Sequence, residues 1–329
     1  MGGTLSLRRG KVTAVTERLE GLVRLEVDGR PCVAYPRLTG PVAVGDDVVV
    51  NIQAVELVLG SGGFDILYAN LTRGIDLTAE PQTHVMKLPY TPLQHAVRHA
   101  EEESAQREGI DGLPVLCCQL HSQVAPACAG LGGGLRVAYI QIPGGALPVS
   151  LSDSLRALRE RRLVEVSVAV GACIDGDVAC VSTASALAWA SEQELDAVVC
   201  SIGPGIVGTA SPWGHGGVAV AEALMTARAM GGRPLLAVRY SGADERERHR
   251  GLSHHTGAVL ALAGQVELGW PLGLDPPDGL DEVSLVDVSG WEEACAGLPL
   301  SHMGRGPDED PRFFAVAFAA GRLARGLLA

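Results

Sequence analysis

The sequence predicts an α/β fold: an N-terminal small β-barrel followed by a mostly parallel sheet flanked by helices. Three observations carry this. Residues 5–58 show period-two hydrophobic patterning and no helical period. From Leu113 onward, short apolar runs alternate with helical stretches, as in a parallel sheet covered on both faces. Glycine is abundant, 42 of 329 residues, about 13% against a usual ~7%. The glycines follow no repeat, so they mark turns and close backbone approaches.

The barrel segment comes first. Residues 5–16, 21–27, 31–35 and 47–58 read as strands. Asp28-Gly29 is a tight hairpin signal, and Gly45-Asp46 marks a second turn. Closure into a barrel of four or five strands would remove exposed edges. Such a barrel could be an oligonucleotide-binding fold, but the acidic balance of the chain favours a packing or interface role. The expected division is a barrel over 1–60, a connection with one helix over 61–112, and an α/β domain over 113–329. The connection opens on Gly60-Ser-Gly-Gly63. Its helix is predicted from Thr91 to about Arg107, with Thr91 as cap, Pro92 at the first position and Gln94 reaching back.

In the α/β part, strands are predicted over 114–120, 136–142, 163–170, 178–182, 196–202, 234–240 and 283–288. Helices are predicted over 151–161, 184–194, 218–230 and 256–262, with a last one over 312–328. The FFAVAF run of that last helix is too short to span a membrane and reads as a docked terminal helix.

The net charge is −12, with 26 basic and 38 acidic residues, and only Lys11 and Lys87 are lysines. That balance argues against nucleic acid, whose binders need a basic stripe, and against an anionic membrane surface. No signal-peptide core opens the chain. The eight cysteines show no C-x-x-C pair. A cytoplasmic protein without disulfides is expected. The expected partners are a small-molecule ligand and further copies of the chain in a homo-oligomer. The sequence specifies no cofactor.

Two stretches carry the functional reading. The first, SIGPGIVGT, follows the strand 196–202. It satisfies G-x-G-x-x-G, but the chain stays irregular beyond it and the next strand ends in Arg239-Tyr240 rather than an acid, unlike a dinucleotide site. It lacks the lysine of a phosphate-binding P-loop. Val199 stands where a nucleophile elbow needs glycine, which argues against Ser201 as a nucleophile. What remains is a glycine loop whose backbone N–H groups could hold an anion, with a structural turn as the competing reading. The second stretch, RERHRGLSHHT, follows the strand 234–240 and places Ser253 as the cap of a helix.

GPGIVGT together with RHRGLSHHT resembles an uncharacterised bacterial family, domain of unknown function 3866. The likeness spans about 203–256. It implies no established activity and transfers no catalytic role.

Histidines gather after predicted strands: His121 after 114–120, His215 after 196–202, and His249, His254 and His255 after 234–240. If these strands are parallel, the loops open on one sheet edge, where ligands bind in open α/β sheets. His254 and His255 are candidate proton-transfer residues and Arg250 the charge-balancing one. Gly203, Gly205, Gly208, Thr209, His215, Arg248 and His121 are candidate ligand contacts. No metal is expected. His95 and His99 are four apart but read as part of a solvated helix face, and no structural zinc spacing is present. Arg305 reads as a surface ion-pair partner of Glu309 or Asp310. The expected function is an enzyme acting on a small anionic or carbonyl-bearing metabolite. The rival is a ligand sensor or assembly protein that uses the same site and the barrel.

Overall fold

The computed structural model describes residues 5–57, 62–73, 77, 81, 83–104, 106–280 and 282–328. Gly60 and Ser61 of the predicted connection lie outside them. The chain divides into two compact units, Met1–Ala96 and Val97–Ala329.

The first unit holds β1 (Leu7–Leu19), β2 (Leu22–Val27), β3 (Arg30–Ala34), β4 (Asp47–Asn51) and β5 (Asp65–Asn70), with one-turn helices α1 (Pro36–Thr39) and α2 (Gln53–Glu56). They close into a barrel in the order β1-β2-β3-β5-β4. Closure depends on β1, which pairs with β4 through its first half and with β2 through its second. Two register shifts interrupt its pairing with β2, as bulges do in curved sheets. The β2–β3 hairpin turns on Asp28 and Gly29, both at positive φ (52° and 74°), as the Asp-Gly pair predicts. The strand that closes the barrel, β5, lies past residue 60 in what reads as connection. A fragment ending at 60 therefore lacks a barrel wall.

The helix expected over 91–107 is not present. A short antiparallel pair, β6 (Met86–Lys87) and β7 (His95–Ala96), and a single turn at Ala100–Glu102 occupy that stretch. The capping residues do bond as capping residues, but they close a tight turn. Thr91 Oγ1 donates to the Leu88 carbonyl (2.8 Å), and Gln94 Oε1 accepts from the Tyr90 amide (3.0 Å). Leu88 and Tyr90 adopt positive φ, the left-handed backbone of a tight turn. His99 is buried, with its Nδ1 on the Val97 carbonyl, not on a solvated face.

The second unit is built on β8 (Pro114–Cys118), α3 (Val124–Leu131), β9 (Val137–Ile142), α4 (Asp153–Glu160), β10 (Val166–Val170), β11 (Val178–Cys180), α5 (Thr183–Glu192), β12 (Ala197–Ile202), α6 (Ala219–Ala229) and β13 (Arg233–Ala237). Its six strands form a sheet in the order β11-β10-β9-β12-β8-β13, and every pairing is parallel. In β12, Val198, Cys200 and Ile202 pack into one apolar layer with α5 and α6, while Ala197 and Val199 pack into the opposite layer with α3. The sheet is thus buried on both faces, which explains its unbroken apolar runs. All eight cysteines are buried.

Beyond the sheet come β14 (Tyr240–Ser241), β15 (Gly251–Leu252), α7 (His254–Ala263), β16 (Gly269–Pro271), β17 (Ser284–Val286), α8 (Trp291–Ala294) and α9 (Pro311–Gly326). Two strand expectations change. Residues 234–240 stop as a sheet strand at Ala237, and 283–288 supply only β17, which pairs with β16 apart from the main sheet. The helix α3 replaces an expected loop, and all its residues are buried. It docks on α9 by close approach. A Cβ at Gly130 would overlap the Phe318 carbonyl, and one at Gly321 would overlap that of Ala127. The FFAVAF run is buried in the core except for half-buried Ala315. No helix among the described residues is long and apolar enough to cross a membrane.

Candidate functional site

Parallel pairing puts the loops after β8, β9, β12 and β13 at one sheet edge. β12 and β13 are joined through α6, but they are not neighbours: β8 lies between them. The chain leaves β8 in one direction along the sheet and returns from β11 in the other, and such reversals are where open α/β sheets bind ligands.

The glycine loop after β12 is a packing device. A Cβ at Gly203 would overlap the Ala146 carbonyl, and one at Gly216 would overlap Gly144. The loop thereby presses on the 143–146 turn that follows β9. The amides of Val207 and Thr209 bond to the carbonyls of Gly144 (3.1 Å) and Gly214 (2.6 Å), and Gly216 bonds to Val207. Thr209 Oγ1 faces Ser211 and Gly214. Gly205 and Gly208 are exposed. Gly205 sits at φ 70°, so it is there for the turn. The loop's product is a bridge between Gly208 and His215 that brings His215 back over the sheet edge.

The loop after β13 returns by the β14–β15 pair. The Arg239 amide donates to Thr256 Oγ1, and Ser253 N donates to the Arg239 carbonyl, both at 3.0 Å. Gln119, from the loop after β8, donates to the same threonine. Strand end and helix start are thus tied together, and Arg239 lies beside the first turn of α7. Ser253 caps α7 by accepting from the His255 amide, as expected, and also meets His249 Nδ1 at 2.8 Å.

Four histidines meet here. The His215 ring stacks on His255 with centroids 3.5 Å apart and planes within 10°. His254 lies 4.5 Å from His255 and 4.8 Å from His249. Arg239 Nη1 donates to Nδ1 of His255 at 2.8 Å. Burial, with the nearby Arg239 and neighbouring rings, lowers the His215 pKa to about 4, His249 to about 3 and His255 to about 2. His254 is less buried and is also lowered, by desolvation and then by Arg248. The cluster is therefore neutral at pH 7.

A charged shell backs it. Asp244, buried, accepts from Arg246 (2.8 and 2.9 Å) and from Arg305 (3.2 Å), with Arg239 at 3.8 Å. Burial opposes its charge, but the arginines outweigh that and hold the carboxyl well below the usual range. Burial and repulsion from Arg246 lower Arg239 to about 10, still charged at neutral pH. Arg305 thus faces inward onto Asp244 as well as lying 3.7 Å from Asp310, rather than at the surface with Glu309. His302 stacks on Phe313 nearby, lowered to about 3 by burial and then Arg239.

Among the described residues, nine buried side-chain polar atoms have no hydrogen-bond partner. Six belong to this cluster: both ring nitrogens of His215, Nε2 of His254 and His302, and Nε of Arg239 and Arg305. The Pro212 carbonyl is close enough to His215 to favour its protonated ring, but neither nitrogen meets it in hydrogen-bond geometry. Native proteins leave few such groups unmet, and a concentration of them marks a place built for something else.

The structure thus gathers His215, His249, His254 and His255. His121 points elsewhere, with Nε2 on Ser152 Oγ (2.6 Å) and Nδ1 on the Tyr139 hydroxyl (3.2 Å). Arg248 and Arg250 are exposed. Arg248 acts on His254 by its charge, and Arg250 Nε donates to the Asp244 carbonyl. Sequence reasoning missed Arg239, Asp244 and His302 as site members. The one available signal was an arginine placed where a parallel strand ends.

A closed β-barrel unit and a six-stranded parallel α/β unit with a histidine–arginine cluster at its carboxyl edge define a two-unit α/β protein. The chain matches, over residues 31–275, the family described as a protein of unknown function, DUF3866, and belongs to it. No curated protein matches the chain.

Proposed function

We propose that the protein is an enzyme acting on a small anionic or carbonyl-bearing metabolite, bound at the carboxyl edge of the sheet beside Arg239. The carrying observation is the Arg239 guanidinium. It is buried and charged, its Nε has no partner among the described residues, and it stands among neutral imidazoles. Three arginines converge on the single carboxylate of Asp244, so an incoming anion meets excess positive charge in a poorly solvated place, where attraction is strong. His254 is the partly exposed ring with a vacant Nε2, and a neutral imidazole there can accept a proton from bound substrate. Arg239 takes over the anchoring role first assigned to the glycine-loop amides.

A sensor reading has one observation in its favour: the engaged amides of Val207, Thr209 and Gly216 supply no oxyanion donors. The test is calorimetric titration with inorganic phosphate and acetate, followed by turnover assays on the ester and amide classes of the better binder. Arg239→Gln should weaken anion binding on the order of tenfold or more, the worth of a hydrogen bond to a charged group. His254→Gln should reduce turnover while leaving affinity within a few-fold. Unchanged anion affinity in Arg239→Gln would overturn the reading. Binding without turnover of any class would favour the sensor.

A further inference from the structure

We propose that His215, His254 and His255 together hold a divalent transition-metal ion of the zinc class, leaving an open coordination position for the substrate anion. This rests on the reading above that the cluster is the functional site, and with a metal bound it gives the vacant His254 Nε2 to the ion in place of the proton-accepting role. One ligating nitrogen from each of the three rings lies within 4.8 Å of the others. Tetrahedral zinc with bonds of ~2.0 Å needs donors about 3.3 Å apart. Small side-chain rotations, with the His215 ring tilting off His255, close that gap. Three of the lone nitrogens described above, two on His215 and Nε2 of His254, are vacant, and His215 is more than nine-tenths buried.

The chemistry of the donors fits. Metals take the neutral imidazole, and imidazole sets suit zinc, copper, iron and nickel. Three neutral ligands leave the ion its full charge, which an anionic substrate or a hydroxide in the fourth position offsets. That is the pattern of a catalytic rather than a structural centre.

Arg239 competes with a metal for His255. Its Nη1–H donates to Nδ1 of His255, which puts that ring's own proton on Nε2. A metal can take Nε2 by expelling a proton, or Nδ1 by expelling the arginine. The second route breaks no covalent N–H bond. It also leaves the guanidinium beside Asp244, whose Oδ2 is already 3.8 Å from Nη2. In the metal-free protein, then, the arginine occupies with its own positive charge the lone pair that the metal takes. The other charges around the cluster are Arg246, Arg248 and Arg305, offset in part by Asp244, with the His249 and His302 rings adjoining. This cationic shell weakens the site for a bare ion and strengthens it for an ion that carries an anion.

The test uses full-length protein dialysed against a chelator and titrated with Co2+, whose tetrahedral complexes absorb in the visible. We expect one equivalent of Co2+ to bind with that absorption, Zn2+ to displace it, and phosphate to tighten it. His215→Ala and His254→Gln should each weaken binding by more than the roughly 10–100-fold that loss of an outer partner costs. His121→Ala, outside the cluster, should leave it unchanged. Thermal melts identify any variant that fails to fold, and in that case His215→Gln or His254→Asn at the same position decides. Absence of the visible band in folded wild-type protein, or equal Co2+ binding by His215→Ala and His254→Gln, overturns the proposal. Phosphate titration of the metal-free protein separates the two readings. Phosphate binding without Co2+ binding removes the metal and leaves the anion site standing, whereas Co2+ binding with no phosphate affinity in either state does the reverse.

Discussion

The barrel and the sheet edge bury charge in opposite ways. In the barrel, Asp46 is held by Arg73 at 2.7 Å and Asn70 at 2.8 Å, and Asp65 by Arg8 at 3.2 Å. Each of these buried carboxylates is met by an arginine, Arg8 also pairing with the exposed Asp28. At the sheet edge, three arginines share Asp244, and four neutral histidines stand beside them. A buried ion is tolerated when paired and hydrogen-bonded. The barrel meets that condition carboxylate by carboxylate, as structure requires. The cluster leaves donors and lone pairs unmet, which costs stability that only a ligand restores.

The largest way to break this contrast is acid. His215, His249, His255 and His302 have folded pKa values lowered from 6.5 to about 4, 3, 2 and 3, burial being the first cause of each. A group whose folded pKa is depressed contributes fully above its unfolded value, and that stability is lost as pH falls toward the folded one. The window therefore opens near pH 6.5 and runs toward pH 4 and below. Each such histidine costs about 1.4 kcal/mol per pH unit inside it, so the cluster loses several kcal/mol by pH 5. The barrel carboxylate Asp46 is also depressed: burial opposes its charge, but hydrogen bonds from Arg73 and Asn70 outweigh that. Its loss begins only as pH falls to the ordinary carboxylate value, near 3.8. All four tryptophans, at 189, 213, 270 and 291, lie in the second unit, so their fluorescence reports that unit alone. Urea melts followed by tryptophan fluorescence should show stability falling steeply from pH 6.5 to 5. A flat profile would mean that the rings are solvated and the cluster is not built as described.

A smaller step compares single carboxylates. Asp244→Asn leaves Arg246, Arg305 and Arg239 without their shared counter-charge in a buried place, and should cost about 3–5 kcal/mol. Asp47→Asn in the barrel removes the pair with Arg9, whose side chain is 71% exposed, and should leave stability nearly unchanged. Equal effects in denaturant melts would erase the distinction between the two regions.

Much of the fold was legible because period-two patterning and strand–helix alternation are local consequences of burial on one face or two. The histidines were legible for the same reason, since loops after parallel strands share an edge. What escaped was set by tertiary context. β5 reads DILYAN, too mixed to stand out until the barrel needs a wall. α3 reads VAPACAGL, apolar on every side and interrupted by Pro126, so it shows no amphipathic period. The Thr91–Gln94 capping pattern was genuine chemistry put to use in a turn. The placement of β8 between β12 and β13 has no local signal. Arg239 and Asp244 are ordinary charged residues until the fold removes their water.

The smallest effects separate two roles for glycine in the SIGPGIVGT loop. Gly203 is buried, and a methyl group there would overlap the Ala146 carbonyl. That oxygen belongs to the 143–146 turn, held in turn by the Ala146 amide on the Pro204 carbonyl at 2.8 Å. Neither backbone can give way without the other, so Gly203→Ala should cost about 1–3 kcal/mol, the usual toll of overpacking. Gly205 is exposed and sits at φ 70°. Its replacement by alanine strains the backbone by about 1 kcal/mol. If the loop is a packing device that delivers His215, Gly205→Ala should bind phosphate as the wild type does, after this small loss of stability. Gly203→Ala, by shifting the loop, should weaken it. If the loop amides themselves cradle the anion, the order inverts, and Gly205→Ala loses phosphate binding at nearly unchanged melting temperature. Calorimetric titration of the two variants, read beside their thermal melts, decides between backbone cradle and side-chain cluster.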